Sequence, residues 1–288
     1  MTEASVILCV RNAAATVGAQ LAALAGQDCA REWELVVVDN GSTDESVRIV
    51  EGWRRRLPSL RLVRANERAG LGYARNAGAA AAAGRVLAFC DADDVADRGW
   101  LSALLRGARE AELIGGRLEL GMLNGPRARR WRAMSADDLR RPLALGYLHY
   151  AVGANFAVAR EAFDAVGGCD EAFTICGDDI DLSWRIQRRG GRLAFREDAV
   201  MHYRLRANIP GLVRQRYLYG QAEGLLRRKY AHELAAVRWA ERWPSYRALL
   251  TRCWHLLADE ERRGVWLGVA GYSAGRIRGS LRYGVLNY

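Results

Sequence analysis

The sequence predicts an α/β protein: a mostly parallel sheet flanked by helices, followed by a basic helical C-terminal extension. Three observations predict it. Short apolar runs alternate with stretches of helical spacing through the first hundred residues, the pattern of a parallel sheet with helices on both faces. The runs lack polar alternation, as expected of strands covered on both sides. The charge is divided: residues 1–199 hold 27 basic and 27 acidic side chains, whereas 200–288 hold 16 and 6 and carry the whole net charge of +10.

Residues 5–10, SVILCV, form a β-branched run ended by Arg11-Asn12, and 13–26 follow with Val17, Leu21 and Leu24 at helical spacing. ELVVVDNGSTD at 34–44 repeats the design. Its apolar strand ends at Asp39, Asn40-Gly41 signals a turn, and Ser42, Thr43 or Asp44 can cap a helix over 45–56. Residues 60–63 make a third, shorter strand. GLGYARNAG at 70–78 opens an alanine-rich helix that Gly84 stops, and RVLAFC at 85–90 runs straight into Asp91, Asp93 and Asp94. Residues 117–120 alternate like an edge strand, 126–132 read as a basic loop, and 147–158 return small and aromatic residues to the core. Beyond 210 the chain reads as helical.

Half of the residues are hydrophobic, which suits a folded domain rather than a disordered chain. Six cysteines are scattered without a CxxC pair, so they read as buried thiols in a reducing compartment. The N-terminus meets Arg11 too soon for a secretory signal. The uncharged stretch 142–159 contains Pro142, Gly146, His149, Gly153 and Asn155 and reads as core rather than a bilayer span. A cytoplasmic location is expected, at most peripheral to the inner face of a membrane.

Acids at strand ends carry the chemistry. Asp91, Asp93 and Asp94 repel one another at a strand's carboxyl edge, where open α/β sheets bind ligands. A hard divalent cation with a bound diphosphate would offset that repulsion; the alternative is a helix-capping turn with Asp94 or Asp97 as N-cap. Asp39 can accept from a base or ribose, or stabilise its own turn. Gly70 and Gly72 do not complete a GxGxxG, since Arg75 occupies the last position. In GDDIDLSWR at 177–185, the adjacent Asp178 and Asp179 raise the pKa of at least one carboxyl if shielded, which suits a general base. Asp178, Asp181 and Arg185 share a helix face. His202, after another strand-like run, is either a ligand or a structural histidine.

Taken together these motifs are specific. Strand, helix, VVVDNGSTD, GLGYARNAG, CDADD, GANFAVAREAFDAVGGCDEAF, GDDIDLSWRIQRRG and a following histidine resemble, in order, the family-2 glycosyltransferases of the GT-A fold over residues 5 to about 205. The resemblance implies a catalytic domain at 1–205, with a nucleotide-sugar half to about 115, an acceptor half from about 116, and an extension at 206–288. It implies donor contacts at Val10, Asn12, Asp39, Gly70, Arg75, Asp91, Ala92 and Asp93, and a divalent metal, Mn²⁺ or Mg²⁺, held by Asp93 and His202. Acceptor contacts would come from Asn155, Asp178, Trp184 and Arg185, with Asp178 standing where glutamate is usual. Asp179 takes the place of the base that deprotonates an acceptor hydroxyl, in an inverting displacement on a nucleotide-diphosphate sugar, UDP-linked by family tendency. The QxxRW signature of processive synthases is absent, which favours single transfers.

The acceptor is a saccharide, a lipid-linked molecule or a small molecule, and transfer to a polyprenyl phosphate is one rival reading. A module that binds nucleotide sugar without catalysis is another. Nucleic-acid binding is disfavoured because residues 1–199 carry no basic excess. Arg214, Arg216, Arg227, Arg228 and Lys229, with Tyr217, Tyr219, Leu225, Leu226 and Tyr230, fit a basic amphipathic helix against anionic lipid, or a helical cap or homodimer face. Trp239, Trp243, Trp254 and Trp266 add aromatic weight there. The stretch 121–141 is expected to select the acceptor.

Overall fold

The computed structural model of the protein describes residues 2–57, 59–132, 135–235 and 239–286. The chain divides into two compact units. One comprises Met1–Met122, Ser135–Ala144 and Leu148–Arg204; the other comprises Leu123–Met134, Leu145–Tyr147 and Leu205–Tyr288. The second unit thus combines the chain from Leu205 with two segments from earlier in the sequence.

In the first unit, β1 (Ala4–Val10), α1 (Val17–Ala25), β2 (Trp33–Asp39), α2 (Ser46–Gly52), β3 (Leu60–Arg64), α3 (Leu71–Ala81) and β4 (Val86–Asp91) alternate as expected. A two-residue strand β5 (Val95–Ala96) and α4 (Trp100–Gly107) precede β6 (Leu113–Glu119). In the second unit α5 spans Pro126–Trp131. Back in the first lie α6 (Ala136–Arg140), β7 (Leu143–Ala144), β8 (Leu148–His149), β9 (Asn155–Ala159), α7 (Arg160–Ala165), α8 (Asp178–Arg188) and β10 (Leu193–His202).

Eight strands form one sheet in the order β3-β2-β1-β4-β9-β6-β10-β5, with β7 and β8 as a separate hairpin. The first four are mutually parallel, β9 runs antiparallel between β4 and β6, and β10 is parallel to β6. β6 lies between β9 and β10, but its pairing with β9 covers only 113–115, so residues 117–119, expected to be edge-like, pair with β10 alone. Arg117 is tolerated there because β10 bulges between Arg196 and Val200 and the guanidinium donates to the Glu197 carbonyl at the surface. The basic stretch at 126–132 is helical: Pro126 sits in its first turn, where a missing N–H costs nothing.

Register sets the site. Val10 lies opposite Asp39 and Cys9 opposite Asp91, so the two strand-end acids flank β1 at one edge of the sheet. Below them Ile7, Val36, Val38, Leu87, Phe89, Phe156 and Val158 form the core; Phe89 stacks on Phe156 at 4.6 Å between centroids. Gly78 lets α3 settle on the sheet, since a Cβ there would stand 2.5 Å from Ile7 Cγ2.

The second unit adds α9 (Ile209–Lys229), α10 (Trp239–Thr251), a 3-10 helix (Cys253–Leu257) and α11 (Glu260–Tyr283). Helices α9 and α11 run parallel with their backbones in contact. Cβ atoms at Gly271, Gly275 and Gly279, four residues apart, would meet Val213, Tyr217 and Gln221 of α9, also four apart. Gly220 and Gly224 do the same from α9. Of the readings of α9 as lipid-facing helix, helical cap or dimer face, this seam favours the cap: its residues are divided between a glycine contact and several partly exposed faces, with no single apolar side. Gly275→Val drives a side chain into the Tyr217 carbonyl, backbone that cannot turn aside, and is expected to cost about 1–3 kcal/mol or more. Gly268→Ala, whose Cβ meets Leu212 Cδ2 at an ordinary 3.5 Å, is expected to be neutral or stabilising by up to about 1 kcal/mol. Denaturant unfolding of the two variants checks the contrast.

All six cysteines are free; Cys253, expected to be buried, is exposed. No described helix is long and apolar enough to cross a membrane.

Candidate active site

The strand ends supply the donor side. Asp39 is 1% exposed; Oδ1 accepts from the Ser42 N–H, so the turn reading is met by one oxygen. Its Oδ2 is buried and makes no hydrogen bond, with Arg64 Nη1 3.7 Å away. Asn12 takes a left-handed conformation at φ 50°, which asparagine tolerates, and its Oδ1 accepts from the Thr43 N–H at 2.8 Å. Val10 is buried, and its carbonyl accepts from Asn40 N–H. Asn40 in turn accepts from the Gly70 N–H and donates to the carbonyls of Ala65 and Arg68, so one amide joins three loops at this edge.

Carboxylate oxygens of Asp91, Asp93 and Asp94 lie within 4.8 Å of one another, with Ala92 buried between. This oxygen-only set suits Mg²⁺ or Mn²⁺. Asp94 caps no helix; it is fully buried and accepts from the Arg204 N–H, while Arg204 Nε donates to the Asp93 carbonyl. Asp97 does not cap either, since Gly99 stands at the N-cap of α4. Burial raises the Asp91 carboxyl to about 6; Arg75 opposes the shift, and Asp93, Asp178 and Asp179 add to it.

His202, paired with Val95 across β10 and β5, lies beside this loop by register. Its Nδ1 is 2.8 Å from Glu119 Oε2 and its Nε2 3.8 Å from Asp97 Oδ2. Glu119 engages Nδ1 of His202, the expected ligand, while the carboxylates of Asp91, Asp93 and Asp94 form the clustered set. Burial works against the Glu119 charge, yet His202 and the N–H groups of Met122 and Gly121 hold its carboxyl below the usual range.

On the other side, Asp178 and Asp179 open α8 behind Gly177, whose φ of 92° makes the turn. Asp179 Oδ2 accepts from Gly153 N–H at 2.7 Å and Oδ1 from Ile180 N–H at 2.9 Å. Burial and the neighbouring Asp178 charge raise its carboxyl, against Arg75 and these two N–H groups.

Arg75 joins the two sides. Only 3% exposed, it donates from Nη1 to Asp178 Oδ2 at 2.5 Å and from Nη2 to the Gly153 carbonyl at 2.9 Å, with Asp91 Oδ1 3.6 Å away. The Gly153 that accepts from Arg75 is the residue that donates to Asp179, and a Cβ there would strike the guanidinium. Two acidic clusters far apart in sequence thus meet around one buried cation. An arginine alone in an alanine-rich helix was the available signal for this link; Gly153 and Arg204 gave none.

Several of the expected contact residues are buried and engaged by protein groups. Arg75 is engaged by Asp178 and the Gly153 carbonyl. Asn155 is fully buried, accepting from Trp100 Nε1 and donating to the carbonyls of Arg117 and Ala199. Trp184 is fully buried, its indole N–H donating to the Leu148 carbonyl. Arg185 donates to Asp181, Val166 and Gly168. Asp178 is 1% exposed and pairs with Arg75 rather than with Arg185. Asn155, Trp184 and Arg185 are held by protein partners, whereas Asp178 Oδ1 is buried without a hydrogen bond.

Fold and site define an α/β protein of the GT-A class, with acids converging at the carboxyl edge of its sheet. A family profile described as Glycosyl transferase family 2 matches residues 5–167, more than half of the chain, and the chain belongs to that family. It is 29% identical over 214 residues to the succinoglycan biosynthesis protein ExoM of Rhizobium meliloti, covering 69% of this chain and 67% of that protein. It is 28% identical to mouse polypeptide N-acetylgalactosaminyltransferase 12 over 56% of this chain, and spans only 32% of that relative's length. Among solved structures, the mannosyltransferase PcManGT of Pyrobaculum calidifontis, in complex with GDP-Man and Mn²⁺, superposes with a TM-score of 0.69 at 20% identity, over 96% of this chain and 86% of that one. S. aureus TarS 1–349 with UDP-GlcNAc gives 0.58 at 17% identity, over 99% and 93%. At such identities the likeness establishes the fold.

Proposed function

We propose that the protein transfers a sugar from a nucleotide-diphosphate donor, UDP-linked, to an acceptor hydroxyl with inversion at the anomeric carbon. The convergence of Asp91 and Asp178-Asp179 on Arg75 carries this reading, because it brings a donor-side carboxylate group and a candidate base to one edge. Asp39, with a buried oxygen that makes no hydrogen bond, is the group we assign to the base or ribose of the nucleotide. A divalent ion on Asp91, Asp93 and Asp94 would supply Lewis-acid stabilisation of the diphosphate. Asp179 takes the proton of the acceptor hydroxyl. The acceptor oxygen forms its bond to the anomeric carbon as the bond to the diphosphate breaks, and the electron pair leaves with the diphosphate oxygen. Arg75, donating from Nη1 to Asp178 Oδ2, holds that carboxylate in place beside the base.

A panel of nucleotide sugars with Mn²⁺ or Mg²⁺, read by donor turnover and by the anomeric configuration of the product, tests this. Turnover that needs the ion, disappears with a chelator and inverts the anomer is the expected result. Donor binding with no turnover against any acceptor would leave a binding module instead, and a retained configuration would remove Asp179 as the base.

A further inference from the structure

Exposed apolar side chains are concentrated in one region. Of the thirteen large ones standing in solvent among the described residues, ten lie between Trp243 and Leu286. Six surround one junction: Leu250 at the end of α10, Trp254, Leu256 and Leu257 in the 3-10 helix, and Val265 and Val269 in the first half of α11. Leu257 is 93% exposed and Leu250 69%. The junction is ordered: Trp266 Nε1 donates to the Leu249 carbonyl at 3.0 Å, and the Arg262 guanidinium lies over the Trp254 ring at 5.6 Å. A different face of α11 is closed against α9 through Gly271, Gly275 and Gly279, while Val265 and Val269 stay exposed.

Charge identifies the occupant. The second unit carries nineteen basic side chains against six acidic ones. The three acids beside the junction are each bound to an arginine: Asp259 to Arg262, Glu260 to Arg127 and Glu261 to Arg130. Arg252 and Arg263 add further positive charge around the leucines. A second copy would bring the same positive surface against itself, because a two-fold contact repeats one patch on both sides. A nucleic acid would satisfy the arginines and leave leucines and a tryptophan facing phosphate. A leucine-tryptophan patch inside an arginine rim matches the interface of an anionic bilayer, which takes apolar side chains below its headgroups and cations among them.

We propose that the α10–α11 junction, with Leu257 and Trp254 at its centre, is a docking surface for anionic membrane. The inference is independent of the donor chemistry above. The test uses the full chain with vesicles of phosphatidylcholine alone, or with about one third phosphatidylglycerol, read by co-sedimentation and tryptophan emission. Binding with a blue shift to the anionic vesicles, weakened by salt and absent on phosphatidylcholine alone, is expected. Leu257→Glu with Leu256→Glu is expected to lower vesicle affinity at least about tenfold, with an unchanged melting temperature and unchanged nucleotide-sugar binding. Leu250→Glu, at a second exposed position, should lower it in the same direction. The proposal is overturned by no binding at low salt, by equal binding to both vesicle types, or by equal binding of the double variant. It is also overturned if sedimentation shows a dimer that the double variant dissociates, since a second copy would then cover the patch. Loss of sugar transfer with vesicle binding intact would instead count against the proposed activity alone.

Discussion

Asp179→Asn is expected to lower turnover by about 10²–10⁴-fold while leaving nucleotide-sugar affinity close to that of the parent. The amide keeps one acceptor for the N–H groups of Gly153 and Ile180, so the chain should hold its place, but it cannot take a proton. Single-turnover rates beside titration calorimetry of the donor separate the two effects. Turnover surviving intact would show that the proton leaves by another route. The pH profile supplies an independent check. Burial, and next the Asp178 charge, raise the Asp179 carboxyl, so the acid limb of kcat should lie above the usual carboxylate range, activity rising with pH through it. The same shift sets the sign for stability. A carboxyl raised in the fold contributes most below its unfolded pKa, and that contribution is lost as pH rises through its folded value.

Arg75→Met is expected to destabilise the protein by about 3–5 kcal/mol, the range for removing one partner of a buried ion pair. The cost arises because Asp178, 1% exposed, would keep a charge with no cation beside it, while Asp91 and Asp179 add like charge. Adding Asp178→Asn should therefore recover part of the loss, a coupling of about 0.5–3 kcal/mol in denaturant unfolding. Strictly additive losses would mean that the pair is not what holds Asp178. Arg75→Lys should rescue poorly, since one ammonium does not reproduce the fork that serves a carboxylate and the Gly153 carbonyl together.

These two residues differ in how far they can be read before folding. The family resemblance singles out Asp179, and the pair Asp178-Asp179 follows from local pattern, adjacent acids at a helix start behind a glycine. Arg75 does not, because its partner is 103 positions away. Asn155, Trp184 and Arg185 likewise take their partners from distant elements. Each is a residue type suited to binding sugars, yet each is closed off by carbonyls, or an indole, from other elements. Arg204 is not legible in the sequence, because nothing near it foretells that its N–H serves Asp94 110 positions earlier. The α9–α11 seam was visible as glycine at every fourth residue from Gly271 to Gly279, a spacing that signals backbone contact when set against a second helix.

By itself the sequence determined the alternation of strands and helices, the parallel strands at the start of the chain, and the acids at their ends. Periodicity and turn chemistry are local, acting within a few residues, so they survive in one dimension. Only the tertiary structure decided which acids face a common edge, which polar groups are already satisfied, and where apolar surface stays in solvent. Those outcomes depend on which distant segments come to lie against each other, and a buried charge or amide takes its role from that partner.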